Sequence, residues 1–469
     1  MKIHDRRKLK FSGKFSDTGG VEPSPRYRDK TVHEAPDGIR DFLRKRKSAI
    51  ENWIASQWEK IHAVPSQTLH TPFYASVDLR DSGLKLAPVD TNLFPSGFNN
   101  LSASCLPGCA EAALTAIRRA MPTARRILLI PENHTRNLQY LESVASLAHI
   151  LTSAGFQVRI GSLRPDLQAP INLDLPSERS IRLSPLTRRG RQITIDDFSP
   201  CVILLNNDLA SGRPEILEDC QPIVLPPLDL GWANRLKSEH FIHYRQVATE
   251  FSEHFHFDPW LIDPLFQNCG EIDFMKREGE ECLARNVERL LDQIRQKYRE
   301  YGVDQRPFVF IKADAGTYGM GVMPVYSPED IQRLNRRQRT RMSSAKGGKS
   351  VTKVILQEGV HTRDTWGDTP PATAEPVVYL IDRQVVGGFY RIHPKRGATE
   401  NLNAQGMWFQ PMPLLAPEDI DTATSAPSPT LAEARTDRLH AHGVVARLAL
   451  LACSREMMEL DPQPSLDPR

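Results

Sequence analysis

The 469-residue chain contains no run of 18 apolar residues, so no membrane span is expected. Nor is charge of one sign in excess: 60 Lys and Arg against 57 Asp and Glu leave a formal net charge of +3. A protein-wide electrostatic argument for nucleic acid is therefore missing. Zinc spacing is missing too. The seven cysteines are scattered and odd in number, Cys105 and Cys109 are the only close pair, and no His/Cys partner pair follows them. That usage fits a reducing cytoplasm, with the close pair read as small buried hydrophobes. The opening stretch MKIHDRRKLKFSGKFSDTGG lacks the apolar centre of a signal peptide. No internal repeat is found. Neither a G-x-x-x-x-G-K-[ST] loop nor a Rossmann G-x-G-x-x-G after a first strand occurs.

What remains is an ordinary soluble composition, 40% hydrophobic and 25% charged, on a chain long enough for two to four domains. The 36 prolines gather in loops at 224–230, 369–376 and 416–430, the last reading as a surface excursion. Residues 1–40 form a basic tail (Arg6, Arg7, Lys8, Lys10, Lys14), expected to be solvated and poorly ordered. Residues 41–62 carry helical spacing. In 125–163, a strand Ile127–Ile130, a helix 136–154 closed by Gly155 and a strand Phe156–Ile160 make a β-α-β unit. CVILLNNDLASG (201–212) adds another buried strand. Ligands of parallel sheets sit beyond the strand C-termini, which selects Glu132, Asn133, Asn137, Asn206, Asn207 and Asp208. Ordinary turn and cap roles fit the same residues. A charged helix is expected from Cys269 to Tyr301, a basic loop over 336–350, a hairpin around Asp382, and a buried helix over roughly 438–459.

Two stretches carry chemistry. In FVFIKADAGTYGMGVMPV, an apolar strand runs into Lys312 and then into Asp314, Gly316, Thr317, Tyr318, Gly319 and Gly321. A lysine followed by free backbone N–H groups in a glycine loop suits phosphates. The strand VILQEGV, with Gln357 and Glu358, suits an adenine between apolar walls. The second stretch is FYASVDLRDSGLKLAPVDTNLFPSGFNNL (73–101), which reads as a hairpin with Asp78 on one strand and Asp90 and Asn92 on the next. Positions i and i+2 share a face, so Asp90 and Asn92 project together as oxygen donors suited to magnesium.

The order strand–lysine–glycine loop, strand ending in Gln-Glu, then a hairpin ending in Arg391 resembles that of ATP-grasp ligases. The metal hairpin comes first here, an order similar to eukaryotic-type glutathione synthetases, with Asp90-x-Asn92 where those have Glu-x-Asn. More specifically, KLAPVDTNLFPSGFNNL and IKADAGTYGMGVM resemble the proteobacterial ATP-grasp family of glutamate–cysteine ligases. The resemblance implies an α/β (α+β) chain with a circularly permuted ATP-grasp fold. Residues 41–115 would hold the first helix and metal hairpin, 116–230 a Rossmann-like substrate domain, and 231–469 the nucleotide-binding region. It further implies ATP and Mg2+ as cofactors, and glutamate and cysteine as substrates joined through an acyl phosphate. Lys312 and Lys237 would meet the phosphates. Asp90 and Asn92, with Asp78 or Asp314, would hold magnesium, and Arg391 would stabilise the transferring phosphoryl group. Arg80, Asn99 and Asn100 would bind amino-acid carboxylates, and Glu400, Asn401 and Asn403 form a further polar loop. Glutathione synthetase or another ligase of this order stays open, as do self-association and a non-catalytic nucleotide- or RNA-binding role.

Overall fold

The computed structural model describes residues 38–64, 69–133, 137–316, 321–343, 350–367, 370–412 and 429–460, side chains of 429–438 excepted. Three main sheets organise them, in the mixed α/β architecture expected. Residues 1–37 of the basic tail, 416–428 of the excursion, and Thr317, Tyr318 and Gly319 of the glycine loop lie outside the described residues; residues 38–40, read as part of that tail, instead open the helix Gly38–Lys45, where Ile39 is buried.

The first sheet grows from two central Val/Ile/Leu-rich strands, Arg126–Pro131 and Val202–Asn206, that are buried on both faces. Ile223–Leu225, Val202–Asn206, Arg126–Pro131, Gln157–Ser162 and Ser180–Pro185 run parallel, with Ile171–Asp174 antiparallel at the edge. Ile127 and Leu129 pack with the helix Leu138–Ser153, while Leu128 and Ile130 face the second core. Two-sided burial is what such unbroken apolar strands demand. Gly155, at φ 90°, ends the helix.

The second sheet is antiparallel and joins distant parts of the chain. Tyr74–Asp81 lies between Leu86–Asn92 and Ala372–Ile381; Gln384–His393 and Trp408–Pro411 extend it, and Thr365–Trp366 pairs at one end. The hairpin turns at Asp382, which takes a left-handed φ of 53°. Behind this sheet runs the terminal helix Pro429–Leu460, longer than the sequence pattern indicates. Val444, Val445, Leu448, Leu450 and Cys453 of its all-round apolar middle are at most 1% exposed.

The third sheet orders Phe266–Glu271, Lys353–Glu358, Val309–Ala313 and Val322–Val325, all antiparallel. Its face is covered by the helix Glu280–Tyr301 through Leu283, Val287, Leu290, Leu291 and Ile294. Here the sequence reading needs two corrections. The segment from Cys269 does not begin a helix, because Phe266–Glu271 completes the sheet against Lys353–Glu358 and the helix starts only after Gly279. Gly279 sits at φ 82°, where a Cβ would lie 2.6 Å from the Glu271 carbonyl oxygen, so the turn requires glycine. The basic segment begins as a helix, Arg336–Met342, because Asn335 and Gln338 close a capping box; 344–349 lie outside the described residues.

Candidate active site

The three sheets converge on a cavity of about 680 Å³. Strand alternation determines what faces it. Asp78 stands opposite Asp90 across the hairpin, and Ser76 opposite Asn92, so one face presents Ser76, Asp78, Asp90 and Asn92 together. On the next strands Glu375 is the register partner of Arg391, and Val377 and Tyr379 continue the same face. Lys312 enters from the third sheet and Lys237 from the first residue of the helix Lys237–Phe255. The far wall comes from the C-terminal edge of the parallel sheet, with Glu132, Asn137, Tyr140, Asn206 and Asp208.

These charges are arranged as opposed pairs. Arg391 donates to both oxygens of Asp78 at 3.1–3.2 Å and lies 3.5 Å from Glu375. The Lys237 ammonium sits 2.8 Å from each oxygen of Asp90. Lys312 Nζ donates to the Val89 carbonyl at 2.7 Å and to Gln357 Oε1. Burial opposes the Asp90 charge, but Lys237 and Lys312 outweigh it and hold the carboxyl below its ordinary range. Asp78 is pushed up instead, by burial and by the neighbouring Asp90 and Glu375 charges, against the pull of Arg391. Burial brings Lys312 down to about 8, with Lys237 and Arg80 adding to the fall and Asp90 resisting it.

Burial thus leaves the Lys312 ammonium charged below about pH 8 and neutral above it. If this lysine pairs with a phosphate of ATP, as proposed below, nucleotide affinity would follow its charge. The dissociation constant of a nonhydrolysable ATP analogue should therefore rise with pH above 8, by up to about tenfold per unit. Titration calorimetry without amino acids measures it, and Lys312→Met should flatten the dependence.

Several residues expected at the site are brought to the cavity: Lys237, Lys312, Gly316, Asp78, Asp90, Asn92, Asn99, Asn100, Glu132, Asn137 and Arg391 all line it. Others are diverted. Arg80 borders the cavity, but its guanidinium is spent on Glu375 and on the carbonyls of Val360, Ala398 and Glu400, leaving no donor for a substrate carboxylate. Asp314 does not line the cavity: its two oxygens accept from the Ser238 amide and hydroxyl at 2.8 Å, capping the helix that carries Lys237. Glu358, 1% exposed, is held by Lys85, the Trp260 indole and the Leu265 amide, so its carboxylate cannot reach a nucleotide. Gln357, fully buried, orients Lys312 rather than lining the cavity. Asn207 is a turn residue, accepting from the Leu209 amide, and Asn133 is exposed away from the cavity. Asn137 also caps its helix through the Tyr140 amide. Gly321 stays behind the cavity, its carbonyl accepting from the Ala313 amide.

Sequence reasoning missed Glu375, which joins Arg80 to Arg391, and the aromatic wall of Tyr379, Phe389, Trp408 and Phe409. The signal for Glu375 was present: a lone acid in phase with Val377 and Tyr379 on an otherwise apolar strand.

The donor set suits a hard divalent cation. Two carboxylates on adjacent strands face one cavity beside the Asn92 amide oxygen, which accepts from the Phe94 amide at 2.9 Å and keeps a second lone pair. Burial, with the neighbouring Asp90 and Glu375 charges, raises Asp78, and such an ion held there would offset that cost.

Comparison with known proteins agrees with this chemistry. A family model described as glutamate-cysteine ligase matches residues 40–457. A crystal structure from Methylobacillus flagellatus KT, provisionally named a gamma-glutamylcysteine synthetase, is 50% identical, with a TM-score of 0.78 over 90% of this chain and 96% of that one. Two further structures are distant. D-alanyl-alanine synthetase A from Vibrio cholerae is 10% identical, with a TM-score of 0.26 over 55% of this chain and 67% of that one. A glutathione synthetase-like effector from Globodera pallida is 11% identical, with a TM-score of 0.33 over 76% and 77%. Neither carries weight for the site. No curated protein matches. The extent of the family match and the half-identical crystal structure show that the chain belongs to the glutamate–cysteine ligase family.

Proposed function

We propose that the cavity joins the γ-carboxylate of L-glutamate to the amine of L-cysteine at the expense of ATP, in the manner of an ATP-grasp ligase. The observation that carries this reading is the convergence of Lys237, Lys312 and Arg391 on the Asp78–Asp90 hairpin in one cavity. A carboxylate is a poor electrophile at neutral pH and must first be activated. A γ-carboxylate oxygen attacks the γ-phosphorus of ATP, the bond to the β–γ bridging oxygen breaks, and ADP leaves. The cysteine amine then attacks the acyl phosphate, expels phosphate and loses a proton, giving γ-glutamylcysteine.

The chain's part is positioning and charge neutralisation. Lys312 and Lys237 pair with phosphate oxygens. Arg391, fixed by Asp78 and Glu375, presents a planar fork to the phosphoryl group in flight. Asn99 and Asn100 offer neutral hydrogen-bonding groups to an amino acid. Asp78, Asp90 and Asn92 would hold Mg2+, which supplies charge neutralisation on the phosphates when bound. No described helix is long and apolar enough to cross a membrane, and the seven free cysteines are consistent with a cytoplasmic setting.

The test is stoichiometric. Purified protein with ATP, Mg2+, glutamate and cysteine should release one phosphate per γ-glutamylcysteine formed, and negligible phosphate when either amino acid is omitted. Equal turnover with γ-glutamylcysteine and glycine would replace this reading by a glutathione synthetase.

A further inference from the structure

Beneath the hairpin lies a charged cluster that the proposed chemistry does not use. Arg235, 5% exposed, donates from Nη1 to the Thr91 carbonyl at 2.7 Å. Thr91 is the residue between Asp90 and Asn92. The same guanidinium donates from Nε and Nη2 to the two oxygens of Glu456, at 2.7 and 3.1 Å. Glu456 belongs to the terminal helix and also meets Nδ1 of His240, on the helix that begins at Lys237. Cys453 completes the group, with Sγ 3.5 Å from Arg235 Nη2 and 3.7 Å from His240 Nδ1.

His240, Cys453 and Glu456 bring ligand atoms within 4.8 Å of one another, the spacing of a metal site. The guanidinium already lies against Glu456 and Cys453, so the group's negative charge is matched by a buried cation. Its geometry points toward the hairpin instead. Arg235 and Lys237 are two positions apart and grip one strand at successive points: Lys237 holds the Asp90 carboxylate, Arg235 the carbonyl that follows.

We propose that Arg235 is a positioning residue. It sets the peptide between Asp90 and Asn92, so that both donors face the cavity at the separation a divalent cation needs. Glu456 holds Arg235 in place and thereby ties the cation site to the terminal helix. This inference rests on the reading of Asp90 and Asn92 as cation-holding residues. Lysine at position 235 keeps the charge but cannot bridge the Thr91 carbonyl and both Glu456 oxygens. Partners that orient metal-holding groups are typically worth about 10–100-fold in metal affinity.

The experiment reads Mn2+ binding to the full chain by electron paramagnetic resonance of the free ion, with a nonhydrolysable ATP analogue present and no turnover. Thermal unfolding of each variant is recorded alongside. Arg235→Lys should raise the Mn2+ dissociation constant about tenfold or more. Glu456→Gln, which keeps an acceptor for Arg235, should shift it in the same direction but less. A folded Arg235→Lys protein binding Mn2+ within about twofold of the parent overturns the proposal; should that variant not fold, Glu456→Gln decides by the same criterion. Asp90→Asn separates the two layers. If it abolishes Mn2+ binding while Arg235→Lys does not alter it, only the positioning role falls. If Asp90→Asn also leaves binding unchanged, the cation reading of the hairpin falls with it.

Discussion

Asp90→Asn should lower kcat/KM by roughly 10²–10³-fold while the protein stays folded. The substitution keeps the shape of the side chain and removes its charge. Asp90 keeps 35% of its side chain exposed while Lys237 is only 8% exposed, and the amide oxygen of the asparagine still accepts from the Lys237 ammonium, so the buried lysine keeps a hydrogen-bond partner. The loss should appear chiefly in the divalent-cation concentration needed for half-maximal rate, because a neutral amide is a weaker oxygen donor than a carboxylate. Steady-state kinetics over a Mg2+ series, with circular dichroism to check the fold, measures both parts. Unchanged kinetics in a folded variant would exclude Asp90 from the phosphate and cation chemistry altogether.

Arg391→Lys should reduce kcat by roughly 10²–10³-fold with little change in the KM for ATP. The guanidinium is clamped on one side by Asp78 and approached by Glu375 on the other, and its Nε has no hydrogen-bond partner among the described residues. A planar fork held that rigidly meets charge that develops between two oxygens; a single ammonium on a flexible stem does not. Interactions made only in the transition state lower kcat and kcat/KM together. If the variant instead raises the KM for glutamate at constant kcat, Arg391 binds the ground-state carboxylate and has no special part in phosphoryl transfer.

Sequence and structure part company in an instructive way. The Asp78, Asp90 and Asn92 face was legible because strand alternation is local: two positions apart means one face, wherever the strand goes. Lys312 was legible for the same reason, as a cation on an apolar strand with glycines beyond it. Arg80, Asp314 and Glu358 were misassigned because a charged residue near a strand end looks alike whether it awaits a ligand or already has a partner. Those partners lie far off. Arg80 meets Glu375 across 295 positions, Glu358 meets Lys85 across 273, and Asp314 meets Ser238 across 76. No periodicity connects such pairs. The strand Phe266–Glu271 was hidden similarly: its Gln, Asn and Gly have little strand preference, and it exists because Lys353–Glu358 offers an edge.

The second sheet also imposes an order in time. Tyr74–Asp81 and Leu86–Asn92 leave the ribosome early, yet the strand that pairs with Tyr74–Asp81 begins only at Ala372. At ordinary translation speeds, the 295 positions between Arg80 and Glu375 correspond to roughly 15–60 s. During that interval the parallel sheet of residues 126–225 can form from neighbouring segments, whereas the early hairpin has an unpaired edge and no cavity to face. The newborn chain therefore carries this hairpin with an unpaired edge until the strand from Ala372 has been made, and a chain that stalls before residue 372 has its parallel sheet but lacks Glu375 and Arg391, two of the groups that line the cavity.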